Sequence, residues 1–368
     1  MVRLLEYQVK NILQQEKIPI PTQFSPDDLD NPTIYPIVIK SQVPTGGRGK
    51  QGGIQFAETP AEAKKISAEL KNRTIGGYRP KKLLYEERLA TLQEYYCGFL
   101  INRDEKAINF IFSETGGIDI EQISQTSQER LYIHQFITFP ENLEELSKDL
   151  VRTIPLERLV KGQLQSLVTG LLRIIRSYDA ELLEINPLIE TTNHKLVCAD
   201  AHMEIDDNSL FRHSEYQANL EYYLTPLELK ARALNMSYVE LDGNIGVICN
   251  GAGLVMGTID AIHSVGGKAA NFLDIGGGAD ADRMYHALKI ISSNERVQII
   301  LINIIGGITR CDEIAKGLLR FLSEGTTINF SLRLIGTNEK EGQKILQPYK
   351  IVIHQSLNDA LRPLMNYL

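Results

Sequence analysis

The chain has 368 residues, of which 43% are hydrophobic and 23% are charged, a length typical of about two or three domains. Its net charge of −7 and the lack of a Lys/Arg block argue against nucleic acid as the main partner. The opening stretch MVRLLEYQVKNILQQEK is amphipathic and lacks a signal-peptide core. The longest apolar run, IILINII at 299–305, is too short to span a membrane.

Cysteine usage indicates a reducing compartment. The four cysteines show no CxxC spacing, and three of them lie in apolar, strand-like or helix-start contexts. We therefore expect reduced, mostly buried thiols in a cytoplasmic protein, without a disulfide framework. These cysteines are Cys97, Cys198, Cys249 and Cys311.

The first part of the chain alternates between strand and helix patterns. A strand is predicted at 36–43, followed by a glycine-rich hairpin loop at 46–56 that returns into a strand. The segment 59–72 predicts a helix with Thr59 as N-cap and Glu62 in the capping-box position. Next come three consecutive strands of a mixed sheet at 82–89, 94–102 and 107–114, a helix pair at 155–179, and a hairpin at 180–206.

The pattern changes after about residue 230 to regular strand–helix alternation, which predicts βαβ units and a parallel sheet. Short apolar runs occur at 244–249, 269–275, 297–305, 331–336 and 350–355. Helical segments separate them at 252–265, 279–292, 311–324, 339–347 and 356–367. The predicted domains are 1–235 and 236–368.

The glycine-rich loop suggests phosphate binding. Lys40 ends a predicted strand, and TGGRGKQGG follows within a few residues. Glycines let such a hairpin lie close over phosphates, while Lys40 and Arg48 supply positive charge. A flexible basic surface hairpin is the alternative.

The hairpin at 180–206 suggests a metal site. Glu184 and Asn186 lie on the same face of a strand. With the turn centred on Asn193, Asn186 lies opposite Asp200 and Glu184 lies opposite His202. A carboxylate facing an amide oxygen suits a magnesium ion that keeps waters and phosphate oxygens in its shell. An ordinary cross-strand polar pair is the alternative.

Seven segments together resemble the β subunit of succinyl-CoA synthetase, the ADP-forming succinate–CoA ligase. They are LEYQVK, VIKSQVPTGGRGKQGG, EINPL, DGNIG, NGAGLVMGTID, NFLDIGGGA and NIIGGITRCD. The resemblance implies an α/β fold: an N-terminal ATP-grasp domain with mixed sheets, then a flavodoxin-like parallel sheet with helices on both faces. It also implies an α-subunit partner that binds CoA and carries a phosphorylated histidine. The reaction would interconvert succinate, CoA and ATP with succinyl-CoA, ADP and phosphate.

The resemblance also implies site residues. Nucleotide-contacting positions are Lys40, Gly47, Arg48, Gly49, Glu86, Leu89 and Glu94. Magnesium ligands are Asn186 and Asp200, and Glu184 is the acid that assists phosphate transfer between histidine and ADP. The succinate and phosphate region shared with the partner includes Asn250, Gly307, Ile308 and Thr309.

Several positions depart from the family pattern. His202 stands where a lysine is usual, and Ile335 where a carboxylate is common. Thr309 replaces a common valine, Leu5 replaces a common histidine, and SETGG at 113–117 varies a glycine motif. None of these changes removes a predicted metal ligand, but His202 alters the charge beside the nucleotide.

The stretch NGAGLVMGTID has a rival interpretation as a dinucleotide fold. Gly251, Gly253 and Gly257 follow a strand, and Asp274 ends the next strand, near where a ribose-binding acid belongs. Two more glycine-rich junctions, IGGGADADR and NIIGGITRCD, instead favour a broad anion-binding rim for a phosphoryl group or a carboxylate. None of the seven histidines follows a glycine-rich turn at a helix start, so a phosphohistidine would come from another chain.

Other functions stay open from the sequence. A related ligase for malate or citrate shares the scaffold, and an NAD-binding oxidoreductase rests only on Gly251–Gly257 and Asp274. A non-catalytic assembly subunit is disfavoured by the intact Lys40, Glu184, Asn186 and Asp200. The residues do not decide between ADP and GDP, or between αβ and α2β2 assembly.

Overall fold

The computed structural model describes residues 1–117 and 130–367. The chain divides into two compact units, Met1–Asn219 and Leu220–Leu368. The domain boundary predicted between residues 235 and 236 stays a prediction. Within the described ranges, no helix combines the length and apolar character needed to span a membrane.

The described residues of the first unit form two sheets. Its strands are β1 Val2–Arg3, β2 Gln23–Phe24, β3 Ile37–Gln42, β4 Ile54–Ala57, β5 Lys82–Glu87, β6 Thr91–Asn102, β7 Ala107–Ser113, β8 Leu131–Phe136, β9 Ala180–Thr191, β10 Leu196–Cys198 and β11 Ala201–Ile205. The small sheet has the order β2-β5-β3-β4, and the large sheet has the order β1-β11-β9-β6-β7-β8, with β10 also paired to β9.

The strands predicted at 82–114 do not share one mixed sheet. Strand β5 belongs to the small sheet, whereas β6 and β7 belong to the large one. Among the described strands of this unit, each pairing is antiparallel. The connection between β5 and β6 is only a few residues long, and it crosses from one sheet to the other.

The helices of the first unit differ from prediction in two details. Residues 155–179 form one helix, Arg158–Tyr178, and not a pair. Gly170 lies inside this helix and does not break it. A Cβ at this position would come within 2.8 Å of Ile18, so the glycine permits close packing there. In the helix Pro60–Asn72, Thr59 is the N-cap as predicted. The Glu62 carboxylate, however, accepts from the Glu58 N–H and closes no capping box. Within the described part of this unit, the other α-helices are Glu6–Gln15 and Leu143–Val151.

The second unit has the predicted flavodoxin-like architecture. Its strands are β12 Ser237–Glu240, β13 Ile245–Cys249, β14 Asn271–Asp274, β15 Ile299–Gly306, β16 Asn329–Gly336 and β17 Ile353–His354. The sheet order is β12-β14-β13-β15-β16-β17, and the strands from β14 to β17 are parallel. Counted from β13, the parallel strands follow the doubly wound flavodoxin order. The antiparallel edge strand β12 is not among the strands predicted from the sequence.

Helices cover both faces of this sheet, as predicted. Alternate residues of β15 point in opposite directions: Ile300 and Ile302 belong to one buried cluster, Ile299 and Leu301 to the other. The first cluster includes residues of the helices Ala281–Ser292, Cys311–Leu322 and Glu339–Leu346, and the second includes residues of Ala252–Ser264 and Leu357–Leu361. A further helix, Pro226–Ala233, precedes the sheet. With both faces covered, ligands can reach the sheet at its carboxyl edge.

Candidate active site

A cavity of about 590 Å³ lies beside the small sheet of the first unit. One face of the β3–β4 pair forms a wall, through the cross-strand pairs Val38–Phe56 and Lys40–Ile54. The other lining residues are Pro21, Glu86, Glu87, Arg88, Leu89, Ala90, Thr91, Glu94, Pro187, Ile189, Ala199 and Asp200. The cavity therefore combines an apolar surface with the charged groups of Lys40 and Asp200.

A second cavity of about 470 Å³ adjoins the first, since Ile54, Pro187 and Asp200 line both. The glycine hairpin forms one side of it through Gly47, Arg48 and Gly49, and the hairpin β9–β11 forms the other through Glu184, Asn186 and His202. The structure thus brings the predicted nucleotide, magnesium and acid residues of the first unit to two adjoining cavities. A larger cavity of about 1100 Å³, against the helix Arg158–Tyr178, contains none of them.

The predicted register of the β9–β11 hairpin is confirmed. Glu184 pairs with His202, and the Asn186 N–H donates to the carbonyl oxygen of Asp200 at 3.1 Å. The side chain of Asn186 is oriented by its neighbours: Nδ2 donates to Glu184 at 3.1 Å, and Oδ1 accepts from the Gly117 N–H at 2.7 Å. The hairpin therefore presents the Glu184 carboxylate and the Asn186 amide to one cavity, with Asp200 beside them.

A buried network of charges lies under these cavities. Lys40 Nζ lies 2.8 Å from both Glu6 and Glu86. Arg48 bridges Glu6 at 2.9 Å and Asp200 at 2.8 Å. With Lys10, which contacts Glu6 at 2.9 Å and Glu86 at 2.5 Å, the network contains three cations and three carboxylates. Its charges balance without a ligand.

Sequence reasoning missed Glu6 and Lys10. Both side chains are buried, and Lys10 has no exposed surface. A signal was present: Val9, Ile12 and Leu13 mark the buried face of the helix Glu6–Gln15, and the charged pair lies on that same face at i,i+4 spacing. Charged residues on an apolar helix face need buried partners, and these come from distant strands.

The buried network shifts the pKa values of Glu6 and Asp200 in opposite directions. Burial by itself raises the pKa of Glu6, but Lys10, Lys40 and Arg48 bring this pKa well below its ordinary value. Burial also raises the pKa of Asp200, with Glu6 adding to the effect and Arg48 opposing it, and here the net direction is upward. A cation bound beside Asp200 would favour the ionised form of this carboxylate.

The donor set fits magnesium. Asp200 and Asn186 offer one carboxylate and one amide oxygen, and the Asp200 side chain is still 27% exposed. Across residues 1–117 and 130–367, no three or more His, Cys, Asp or Glu side chains form a metal-binding group. Two oxygen ligands suit an ion that takes its remaining ligands from water and phosphate, and they do not suit a closed zinc site.

His202 interacts along its own strand. Its Nε2 lies 3.1 Å from Glu204, and Glu204 also forms an ion pair with Arg3 at 2.6 Å. The sequence favours a hydrogen-bonded strand residue facing Glu184 over a catalytic role for His202, and the structure agrees: His202 pairs with Glu184 across the strands and bonds Glu204. The cationic side chains that line the second cavity are those of Arg3, Arg48 and Lys50.

In the second unit, hydrogen bonds tie three glycine-rich junctions together. The side chain of Asn250 bonds both backbone groups of Ile305, at 2.8 and 3.0 Å. Thr309 Oγ1 accepts from Asn250 Nδ2 at 3.2 Å and from the Gly278 N–H at 3.0 Å. Ile308, by contrast, is 85% exposed. The predicted residues Asn250, Gly307, Ile308 and Thr309 thus lie on one rim, where Asn250 and Thr309 order the loops.

Asp274 has a local structural role. Its Oδ1 accepts from the N–H groups of Gly251 at 2.6 Å and Gly276 at 2.7 Å. The carboxylate joins two junction loops at the sheet edge, which accounts for an acid at this position without a ribose. Asp274 therefore no longer supports a dinucleotide-binding site, and only the spacing of the glycines after β13 remains in its favour.

Comparison with known proteins agrees with this geometry. A family model described as an ATP-grasp domain matches residues 3–190, and one described as CoA-ligase matches residues 248–365. The succinate–CoA ligase [ADP-forming] subunit beta of Methanocaldococcus jannaschii is 39% identical over 371 residues, covering 100% of both chains. This chain belongs to the succinate–CoA ligase β-subunit family. The family members are ligases, and its two domain types occur here in the expected order.

Another member of the succinate–CoA ligase β-subunit family also matches this chain over nearly its full length. The GDP-forming subunit beta of Thermus thermophilus is 40% identical, covering 99% of this chain and 98% of its own. The structure of ATP citrate lyase from Methanothrix soehngenii, with citrate and coenzyme A, matches with a TM-score of 0.72 at 20% identity, covering 99% of this chain and 94% of that chain. This structural similarity concerns the fold alone. ADP-forming and GDP-forming relatives match about equally, so they leave the purine open.

Proposed function

We propose that this chain is the nucleotide-binding subunit of an ATP-dependent succinate–CoA ligase. With an α subunit that carries a phosphorylated histidine and binds CoA, it would interconvert succinate, CoA and ATP with succinyl-CoA, ADP and phosphate. The observation that carries the proposal is the convergence of Lys40, Arg48, Glu184, Asn186 and Asp200 on two adjoining cavities. Full-length similarity to β subunits supports the same reaction.

The nucleotide would lie along the two cavities. Lys40 and Arg48 are held in the buried network, so their charges are oriented before the phosphates arrive. Gly47 has a φ of 64°, a conformation that glycine adopts without strain, and the hairpin can therefore lie close over a phosphate. Magnesium, held by Asn186 and Asp200, would neutralise phosphate charge during transfer. Arg48 now pairs with Asp200, and phosphate binding gives it an alternative partner.

Glu184 is the proposed acid of phosphoryl transfer. Asn186 Nδ2 donates to its Oε1 at 3.1 Å, and this bond orients the carboxylate in the second cavity. A carboxylate there can accept a hydrogen bond from an imidazole N–H and stabilise the positive charge that grows on the ring as its other nitrogen bonds to the phosphorus of the transferred phosphate. A Glu184→Gln substitution would keep the shape of the side chain but remove the negative charge of the carboxylate.

The histidine would come from the partner subunit. The seven histidines of this chain lie in strands, in turns or in the later turns of helices. Four of them have local partners: His134 with Thr153, His194 with Glu190, His202 with Glu204 and His213 with Asp179. No histidine of residues 1–117 and 130–367 lies in the first turn of an α-helix, where a phosphohistidine would be stabilised. His213 directly precedes the 3-10 helix Ser214–Tyr222, but it is buried and bonded to Asp179.

The rim of the second unit would bind the succinate carboxylate and the transferred phosphate. Backbone N–H groups after Gly251 point from a helix N-terminus, and Gly307 and Ile308 form the exposed part of the neighbouring junction. The exposed Ile308 is the proposed contact with the α subunit. A cytoplasmic location is proposed as well, on the basis of four buried cysteines without disulfides.

Co-expression with an α subunit from the same genome, followed by assays with succinate, malate and citrate, tests this function. The complex should use succinate best and require CoA, Mg²⁺ and a purine nucleoside triphosphate. The purified chain alone should bind Mg-nucleotide and form no acyl-CoA. A complex that prefers malate or citrate would contradict the substrate assignment, and turnover by the isolated chain would contradict the partner's histidine.

A further inference from the structure

Phe56 is a large aromatic residue on the wall of the 590 Å³ cavity, and its side chain is 54% exposed. It lies on β4, opposite Val38 of β3. Phe56 and Val38 thus form an apolar patch on the same sheet face as Lys40. An aromatic ring left open inside a cavity leaves a flat apolar surface that a planar ligand group can cover.

Arg88 and Glu58 hold the Phe56 ring in place. The guanidinium carbon of Arg88 lies 5.1 Å from the ring centroid, in the range of a cation–π contact. The same guanidinium forms an ion pair of 2.9 Å with Glu58. Arg88 also lines the cavity, next to Leu89. The guanidinium therefore lies over one face of the Phe56 ring and is itself paired with Glu58 on the adjoining turn, which leaves the opposite ring face for a planar ligand group.

The position of this wall relative to Lys40 defines the chemistry of its ligand. Lys40 pairs with Ile54, and Phe56 follows two residues later on the same face. Two residues of strand span about 7 Å, which leaves room for a ribose between a phosphate near Lys40 and a base near Phe56. Any nucleobase that stacks on the Phe56 ring gains binding free energy. A purine gains more than a pyrimidine because its ring system has a larger area.

We propose that Phe56, supported by Arg88, stacks on the base of the bound nucleotide and makes the subunit selective for purines over pyrimidines. The inference rests on the proposed nucleotide-binding function. Stacking does not read the hydrogen-bonding edge of the base. The Phe56 wall therefore contributes equally to the binding of adenine and guanine, and the choice between them depends on other groups.

A tryptophan reporter tests this directly, because the chain has no Trp of its own. The Phe56→Trp variant is titrated with MgATP and with magnesium tripolyphosphate, and its fluorescence is followed. MgATP should quench the single tryptophan, and tripolyphosphate should not. Phe211→Trp is the matched control, since Phe211 is 80% exposed in the same unit and lines neither cavity. Its fluorescence should respond to neither ligand.

Affinity gives the second measurement. Phe56→Ala should raise the Kd of ATP and GTP roughly tenfold, equivalent to about 1.4 kcal/mol, and leave the Kd of tripolyphosphate unchanged. Calorimetry on the full-length chain separates the outcomes. ATP binding by Phe56→Trp without a fluorescence change, or equal losses for ATP and tripolyphosphate in Phe56→Ala, would overturn the stacking role. Failure of the unmodified chain to bind any nucleotide would instead reject the proposed function, and this inference with it.

Discussion

Lys10 Nζ lies 2.5 and 2.6 Å from the two carboxylate oxygens of Glu86, and both side chains are buried. Lys10 also donates to the carbonyl oxygen of Ala199 at 2.7 Å, and Lys40 donates to the same oxygen at 2.5 Å. Ala199 precedes the proposed magnesium ligand Asp200. Lys10, a helix residue that lines neither cavity, therefore connects the small sheet, the proposed phosphate-binding residue Lys40 and the proposed metal site.

Replacing Lys10 by methionine should destabilise the protein strongly. The methionine keeps the volume, but it leaves buried carboxylates with one cation fewer, which costs about 3–5 kcal/mol when one partner of a buried pair is removed. Urea unfolding gives the difference in the free energy of unfolding. The exposed Lys65 provides the matched control, and Lys65→Met should change that free energy by less than about 0.5 kcal/mol. Equal effects of the two substitutions would contradict the importance of the network.

Asp200→Asn should raise the Mg²⁺ concentration needed for half-maximal activity and lower kcat on the order of 100-fold, or about 2.7 kcal/mol. The amide keeps the shape but removes the charge that attracts the ion and pairs with Arg48 at 2.8 Å. Activity of the αβ complex across a magnesium titration measures both effects. Asp207→Asn, a partly exposed acid beyond the same hairpin, should behave like the parent. An unchanged magnesium dependence in Asp200→Asn would reject the ligand assignment.

The pH dependence of stability should reflect Glu204. The hydrogen bond with His202 lowers the pKa of Glu204 to about 2 from an ordinary 4.5; burial opposes this and Arg3 assists it. Since the folded-state pKa is the lower one, the stabilisation is complete above 4.5 and is lost as the pH falls through about 2. Glu204→Gln should therefore lose on the order of 2 kcal/mol at pH 7.

The difference between Glu204→Gln and the parent should shrink as the pH falls from 4.5 towards 2, measured as the free energy of unfolding in urea. Glu69→Gln, at an exposed helix position, is the control and should show no such convergence. A gap between Glu204→Gln and the parent that stays constant down to pH 2 would show that the ionised carboxylate is not the stabilising group.

Local and periodic features were predictable from the sequence. The register of β9 and β11 follows from one turn position and a period of two, and the structure reproduces the pairing of Glu184 with His202. The strand–helix alternation likewise predicted the parallel sheet. The short edge strand Ser237–Glu240 was missed because four residues carry little periodic signal, and its pairing with Asn271–Asp274 depends on tertiary packing.

The charged network shows the limit of sequence reasoning. Lys10 and Glu86 are 76 residues apart, and nothing local to either residue indicates that they meet. The same is true of Thr309, whose hydroxyl joins Asn250 to Gly278. Motif comparison showed that Thr309 departs from a common valine, but only the structure shows what the hydroxyl contacts.

Glu184→Gln should block phosphoryl transfer between the partner's histidine and ADP while sparing the succinyl-CoA steps. Glu184 lies in the cavity with Asn186 and Asp200, so it can reach the phosphate held there, and glutamine lacks its charge. Two separate labelling experiments on the αβ complex isolate the half-reactions. One follows label from ATP onto the histidine, and the other phosphorylates the histidine from succinyl-CoA and phosphate.

The two half-reactions distinguish catalysis from structure at Glu184. A structural role, in which the Glu184 carboxylate only accepts from Asn186 at 3.1 Å, predicts that glutamine is tolerated or that both labelling routes fail together. A role in transfer predicts loss of labelling from ATP by about 100-fold or more, with labelling from succinyl-CoA retained. His202→Gln is the matched control, because it changes the residue paired with Glu184 across the strands without removing the proposed acid. Normal labelling from ATP in Glu184→Gln would reject the assignment, whatever the second route shows.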